Sequence, residues 1–130
     1  MSIGRFSIII SAVVFGGFGV ACLLLPSFMA SAVGIEILTP SAVIDFRATY
    51  GGLEIGLATF FAICASKKSW IHPGLVAQAV SLGGFAFGRI IGLILDGTPQ
   101  PIIYYLLVAE CASCALGLFA LAKDGSSIVS

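Results

Sequence analysis

Long apolar runs separated by short polar stretches set the pattern of this chain. Residues 6–25 form one run without a charged side chain. Residues 43–65 form a second, interrupted by Asp45, Arg47 and Glu54. Residues 74–95 form a third with Arg89 inside, and residues 102–122 a fourth with Glu110 inside. About 20 mostly apolar residues cross the hydrocarbon core as a helix. Strand alternation is absent, and a closed barrel needs about eight strands or more, too many for this length. Helices are the other way to satisfy every backbone group in lipid. The pattern therefore predicts an all-α, antiparallel four-helix transmembrane bundle in a single domain, with helices over 6–25, 41–65, 73–95 and 102–122.

The punctuation agrees with these limits. Pro26 closes the first run, and Thr39-Pro40 and His72-Pro73 place proline in a first helical turn, where its missing N–H is harmless. Residues 96–101, Asp-Gly-Thr-Pro-Gln-Pro, read as a tight turn. Lys123-Asp124-Gly125 is the expected end of the last helix. Residues 26–34 are too short to span; Phe28, Met29, Ala32 and Val33 share a helical face opposite Ser27 and Ser31, which predicts a short interfacial helix. Gly19-Val20-Ala21-Cys22 is a poor lipoprotein cleavage box, and Leu23 to Leu25 continue the run, as an uncleaved anchor would. The glycine-rich strings at 51–56 and 83–88 look alike through glycine spacing alone, and no repeat is inferred.

Composition then removes whole classes of function. The 130 residues are 59% hydrophobic and 9% charged, against roughly 45–50% and 25% in a soluble domain. The mean hydropathy is +1.16. A soluble enzyme, a nucleic-acid binder and a disordered linker are all excluded; the lipid bilayer is the expected environment. Arg5, Lys67, Lys68 and Lys123 fall on one side of the expected membrane, and the loops 26–40 and 96–101 have no Lys or Arg. The positive-inside rule then places both termini of this multi-pass protein in the cytoplasm. Trp70 marks the inner interface, Tyr104 and Tyr105 the outer.

Four charges remain inside the apolar runs: Arg47, Glu54, Arg89 and Glu110. A charge at the bilayer centre costs roughly 2.5–3.5 kcal/mol on insertion scales. Such groups must pair, face a wet cavity or lose their charge, and arginine cannot do the last. At about 1.5 Å per residue, Arg47 and Arg89 lie roughly 9 Å from the outer helix ends, Glu110 roughly 12 Å and Glu54 roughly 20 Å. Asp45 and Asp96 sit near the outer boundary. Helical spacing aligns Arg47, Tyr50, Gly51 and Glu54 on the second helix, and Gln78, Ser81, Phe85, Arg89, Gly92 and Asp96 on the third. It aligns Ile103, Leu107, Glu110, Cys114 and Gly117 on the fourth. The expected site is a polar pocket, open to the outer side, of Asp45, Arg47, Tyr50, Glu54, Arg89, Asp96 and Glu110. Gly84, Gly88 and Gly92 form a small-residue row suited to close helix packing, as do Gly52 and Gly56.

The other candidates are weaker. Cys111-x-x-Cys114 has the spacing of thiol oxidoreductases, but no loop carries the second cysteine pair that such membrane enzymes use, and small residues on a packed helix explain it better. His72 has no companion at ligand spacing, so no metal site is expected. No cofactor motif appears.

Asp45-Phe46-Arg47-Ala48-Thr49-Tyr50-Gly51-Gly52, then Gly88-Arg89-Ile90-Ile91-Gly92 and Asp96-Gly97-Thr98-Pro99, resemble domain-of-unknown-function family 4345. These are small bacterial membrane proteins with four helices, and Glu110 matches the glutamate of their last helix. The Asp-x-Arg-x-x-Tyr-Gly-Gly string is the specific part. The helix order also resembles the wider DoxX-like group. The resemblance implies a fold and a motif, not an activity.

Three functions are expected from these residues. The first is a non-enzymatic subunit or accessory protein, in a homo-oligomer or larger membrane complex, whose charges fix helix register. The second is a binding protein or enzyme for a small anionic or lipid-like molecule such as a quinone. The third is a proton or ion conduit, which the absence of ionisable groups from the inner halves of helices one and four disfavours.

Overall fold

The computed structural model describes residues 1–126, and these are helical almost throughout, with no strand among them. α1 spans Ile3–Leu24, α2 Pro26–Ala32, α3 Pro40–Phe46, α4 Leu53–Ser66, α5 Ile71–Leu95 and α6 Pro101–Ser126. A π-helical turn, Arg47–Gly52, joins α3 to α4 into one continuous rod, and a short 3₁₀ turn, Lys68–Trp70, leads into α5. Four of these segments are long and apolar enough to cross a membrane: Ile3–Leu24, Pro40–Ser66, Lys68–Leu95 and Pro101–Lys123. Together they form an antiparallel four-helix bundle.

Local chemistry sets the ends. The Ser2 hydroxyl accepts the Arg5 N–H at 3.2 Å, and Thr39 Oγ1 accepts the Ala42 N–H at 3.1 Å, so both helices begin at a capping side chain. Pro40 and Pro101 open their helices. Gly34 and Gly97 have φ of +80° and +93°, the left-handed conformation that lets the chain leave α2 and α5. The expected stop at Gly125 is not seen: α6 continues to Ser126, because one helical glycine costs only about 1 kcal/mol.

Lipid removes most of the hydrophobic drive for helix association, so close approach and polar contacts must hold the bundle. α1 packs chiefly on the α3–α4 rod and α5 on α6, giving two helix pairs that meet less extensively. Gly19 and Gly51 set the first pair: a Cβ on Gly19 would lie 2.9 Å from the Gly51 carbonyl, and one on Gly51 would lie 2.7 Å from the Leu23 side chain. Gln78 ties three helices together. Its Nε2 donates to Ser7 Oγ at 2.7 Å and to the Ser113 carbonyl at 2.9 Å, and it is 1% exposed. One apolar cluster, around Ile8, Phe15, Phe61 and Leu75, fills the lysine-bearing half. A smaller one, around Cys22, Ala30 and Phe46, closes the lysine-free end.

α2 folds back onto this second cluster. Ala30 is fully buried, with Met29 packed beside it, whereas Phe28 and Ala32 are exposed. The inward face therefore runs through Pro26, Met29, Ala30 and Val33, a rotation from the face that hydrophobicity alone suggests. The helix meets another helix and not only lipid, so a small Ala30 is favoured where Phe28 would not fit.

The glycines that mediate close approach within the chain are not those expected. A Cβ on Gly56, Gly84 or Gly88 meets no atom within 4 Å; on Gly52 or Gly92 it reaches only ordinary contact with a residue of its own segment. A glycine row marks a possible close face, but helix rotation decides whether a neighbour occupies it. Gly19→Ala is thus expected to lower stability by about 1–3 kcal/mol, since the clash is with backbone. Gly56→Ala is expected to leave stability unchanged or raise it by up to about 1 kcal/mol. Unfolding by sodium dodecyl sulfate in mixed micelles measures both; equal effects would contradict the packing described.

Candidate functional site

Between the two helix pairs lies a cavity of about 450 Å³, within the roughly 300–1,000 Å³ range of small-molecule sites. Phe15 and Leu82 from the main apolar cluster form its floor; Met29, Val33, Ile35 and Phe46 roof it at the lysine-free end. Phe18, Phe85 and Leu106 complete apolar walls. Gly84 and Gly88 form part of one wall, and their missing side chains are what keep the space open.

Four of the polar residues expected from the sequence converge on this cavity: Tyr50, Glu54, Arg89 and Glu110. Arg89 lies one helical turn beyond Phe85 on α5, and Glu110 lies on the facing side of α6. Arg89 Nε donates to both Glu110 oxygens, at 2.9 and 2.8 Å. The ion pair is sheltered, with the two side chains 25% and 11% exposed. The terminal nitrogens of the guanidinium make no hydrogen bond to a described residue, and Arg89 lines the cavity. Glu54 is 9% exposed, lines the same cavity and has no hydrogen-bond partner among the described residues. It lies within electrostatic reach of Arg89. Tyr50 stacks on Phe46 with ring centroids 4.6 Å apart.

Asp45, Arg47 and Asp96 do not join this group. Asp45 is exposed on α3. Arg47 Nη1 donates to the carbonyl of Leu23, at the end of α1. The last carbonyls of a helix lack partners within it, and the helix dipole favours a cation there. The cause of its departure is the π turn, whose larger number of residues per turn rotates Arg47 away from the face it would share with Glu54 in an unbroken α-helix. Asp96 lines a second hollow of about 410 Å³ with Gly92, Thr98 and Pro99 at the lysine-free end. Val33, Arg89 and Ile103 line both spaces and so stand between them. The single layer of two arginines and their carboxylates is thereby corrected to one pair plus Glu54.

Several lining residues carry no sequence signal of their own. Phe15, Phe18 and Met29 lie in stretches without a charge, where apolar residues face lipid as readily as a cavity. Ser113 lines the cavity, and its carbonyl is held by Gln78, which the polar stripe of the third helix does contain. The thiols are all free. Cys114 Sγ contacts the Ala79 carbonyl at 3.4 Å and Cys111 is exposed, so the pair sits on a packed helix and its outward face.

The arrangement can hold a molecule with an apolar body and a polar end. The polar end would meet hydrogen-bond acceptors at Glu54 and donors at Arg89. Comparison with known proteins gives no activity to set beside this geometry: no curated protein and no solved structure matches the chain. A family model does match, that of the Domain of unknown function (DUF4345), over residues 3–121. The match includes every cavity residue, the Asp45–Gly52 string and the Arg89–Glu110 pair, and the chain belongs to the DUF4345 family.

Proposed function

We propose that this protein binds a small, largely apolar molecule inside the membrane. The cavity between the helix pairs supports this reading above the others: it is of ligand size, apolar on most sides, and its few polar groups converge at one place. A purely structural ion pair needs neither the space nor the unpartnered Glu54 beside it. The family resemblance suggests a bacterial inner membrane, and the lysine distribution supports cytoplasmic termini, which puts the roof of α2 near the outer face.

Purification in native lipid followed by mass spectrometry of the intact protein tests the proposal. A retained small molecule, released on denaturation and absent from a cavity-filled variant, is the expected result. Retention of an unrelated protein subunit, with the cavity unoccupied by any extractable molecule, would favour the accessory role instead.

A further inference from the structure

The charge balance of the cavity narrows the ligand, on the reading that the cavity binds one. Arg89 and Glu110 neutralise each other at 2.8 Å. Arg47, the second arginine that would favour an anion, is engaged at the end of α1. Glu54 then adds either no charge or one negative charge. In neither case does the cavity hold surplus positive charge, so an anion would enter a low-dielectric space without compensation, whereas a cation is compensated by ionised Glu54. A quite different head group fits. Glu54 is buried, makes no hydrogen bond to a described residue and lines the wall, and Phe15, Phe18 and Phe85 line the same space. A carboxylate in a cavity with aromatic lining suits an ammonium group, which donates to the oxygens and is attracted by aromatic rings within its reach.

We infer that the ligand is a lipophilic amine, its ammonium directed at Glu54 and its apolar body held between the two helix pairs. An alcohol of the same shape would supply one hydrogen bond but no charge, and a carboxylate would repel.

Three probes with one apolar body separate these cases: naphthylethylamine, naphthylethanol and naphthylpropionic acid. Their affinities are measured at neutral pH by calorimetry, on the full chain in nanodiscs of zwitterionic lipid. Nanodiscs of the same lipid without protein serve as the blank for lipid partitioning. The expected result is saturable amine binding above that blank, about tenfold or more tighter than the alcohol, with no binding of the acid. Glu54→Gln is expected to erase the amine's advantage while the alcohol still binds, which also shows that the variant is folded. Equal affinity for amine and alcohol, or tighter binding of the acid, would overturn the amine assignment and leave the binding function standing. No saturable binding of any probe above the blank would overturn the binding function itself.

Discussion

Arg89→Leu is expected to destabilise the protein by about 3–5 kcal/mol, because it leaves Glu110 buried without its partner. Glu110 is 8% exposed, and no other cation lines its cavity. The reverse change, Glu110→Leu, is expected to do less harm. Arg89 is more exposed than its partner, and Glu54 is close enough to take over part of its charge. The double variant Arg89→Leu with Glu110→Leu should recover most of the loss, since a matched apolar pair inside lipid needs no compensation. Titration with sodium dodecyl sulfate in mixed micelles gives all three free energies and closes a double-mutant cycle. An additive cycle would mean that the 2.8 Å contact contributes nothing to the fold. Recovery of stability in the double variant also supplies a folded protein with an apolar cavity, in which ligand binding can be assayed without the ion pair.

The similar depth of Arg89 and Glu110 was legible in the sequence, and Arg47 shows why the rest was not. Hydrophobic run lengths locate the four spans because lipid thickness leaves few alternatives. Along α5 and α6, regular α-helical pitch keeps depth and face in step with residue number, so two charges at similar depth meet. Along the second span the same arithmetic fails at the π turn. Six residues, Arg47–Gly52, adopt a winding that hydropathy does not encode, and the face expected of Arg47 rotates away while Tyr50 stays at the cavity. The conspicuous motif Asp45–Gly52 thus contributes Tyr50 to the cavity but spends Arg47 on a helix end. Glycine spacing misleads for a related reason. It reports that a helix face is smooth, while the rotation of each helix decides whether that face meets backbone, as at Gly19 and Gly51, or borders a cavity, as at Gly84 and Gly88.

That difference between glycines makes Gly88→Leu and Gly84→Leu the most decisive changes for function. Both positions line the cavity, and a Cβ on either meets nothing within 4 Å. Leucine is also the better helix former by roughly 0.8 kcal/mol, and a side chain entering an open space gains dispersion contacts. Stability is therefore expected to hold or to rise by up to about 2 kcal/mol. Binding of naphthylethanol or naphthylethylamine should meanwhile fall by roughly a hundredfold or more, because the variant side chain takes the volume that the apolar body needs. Unfolding in mixed micelles and calorimetry in nanodiscs check the two halves on the same preparations. A variant that loses stability would show that the α5 glycines are packed after all. A variant that keeps both stability and binding would show that the cavity is not where the ligand sits. The expected divergence, a firmer fold with an emptied function, is the one result that a structural role for the Arg89–Glu110 pair does not produce, since filling the space beside an ion pair leaves the pair intact.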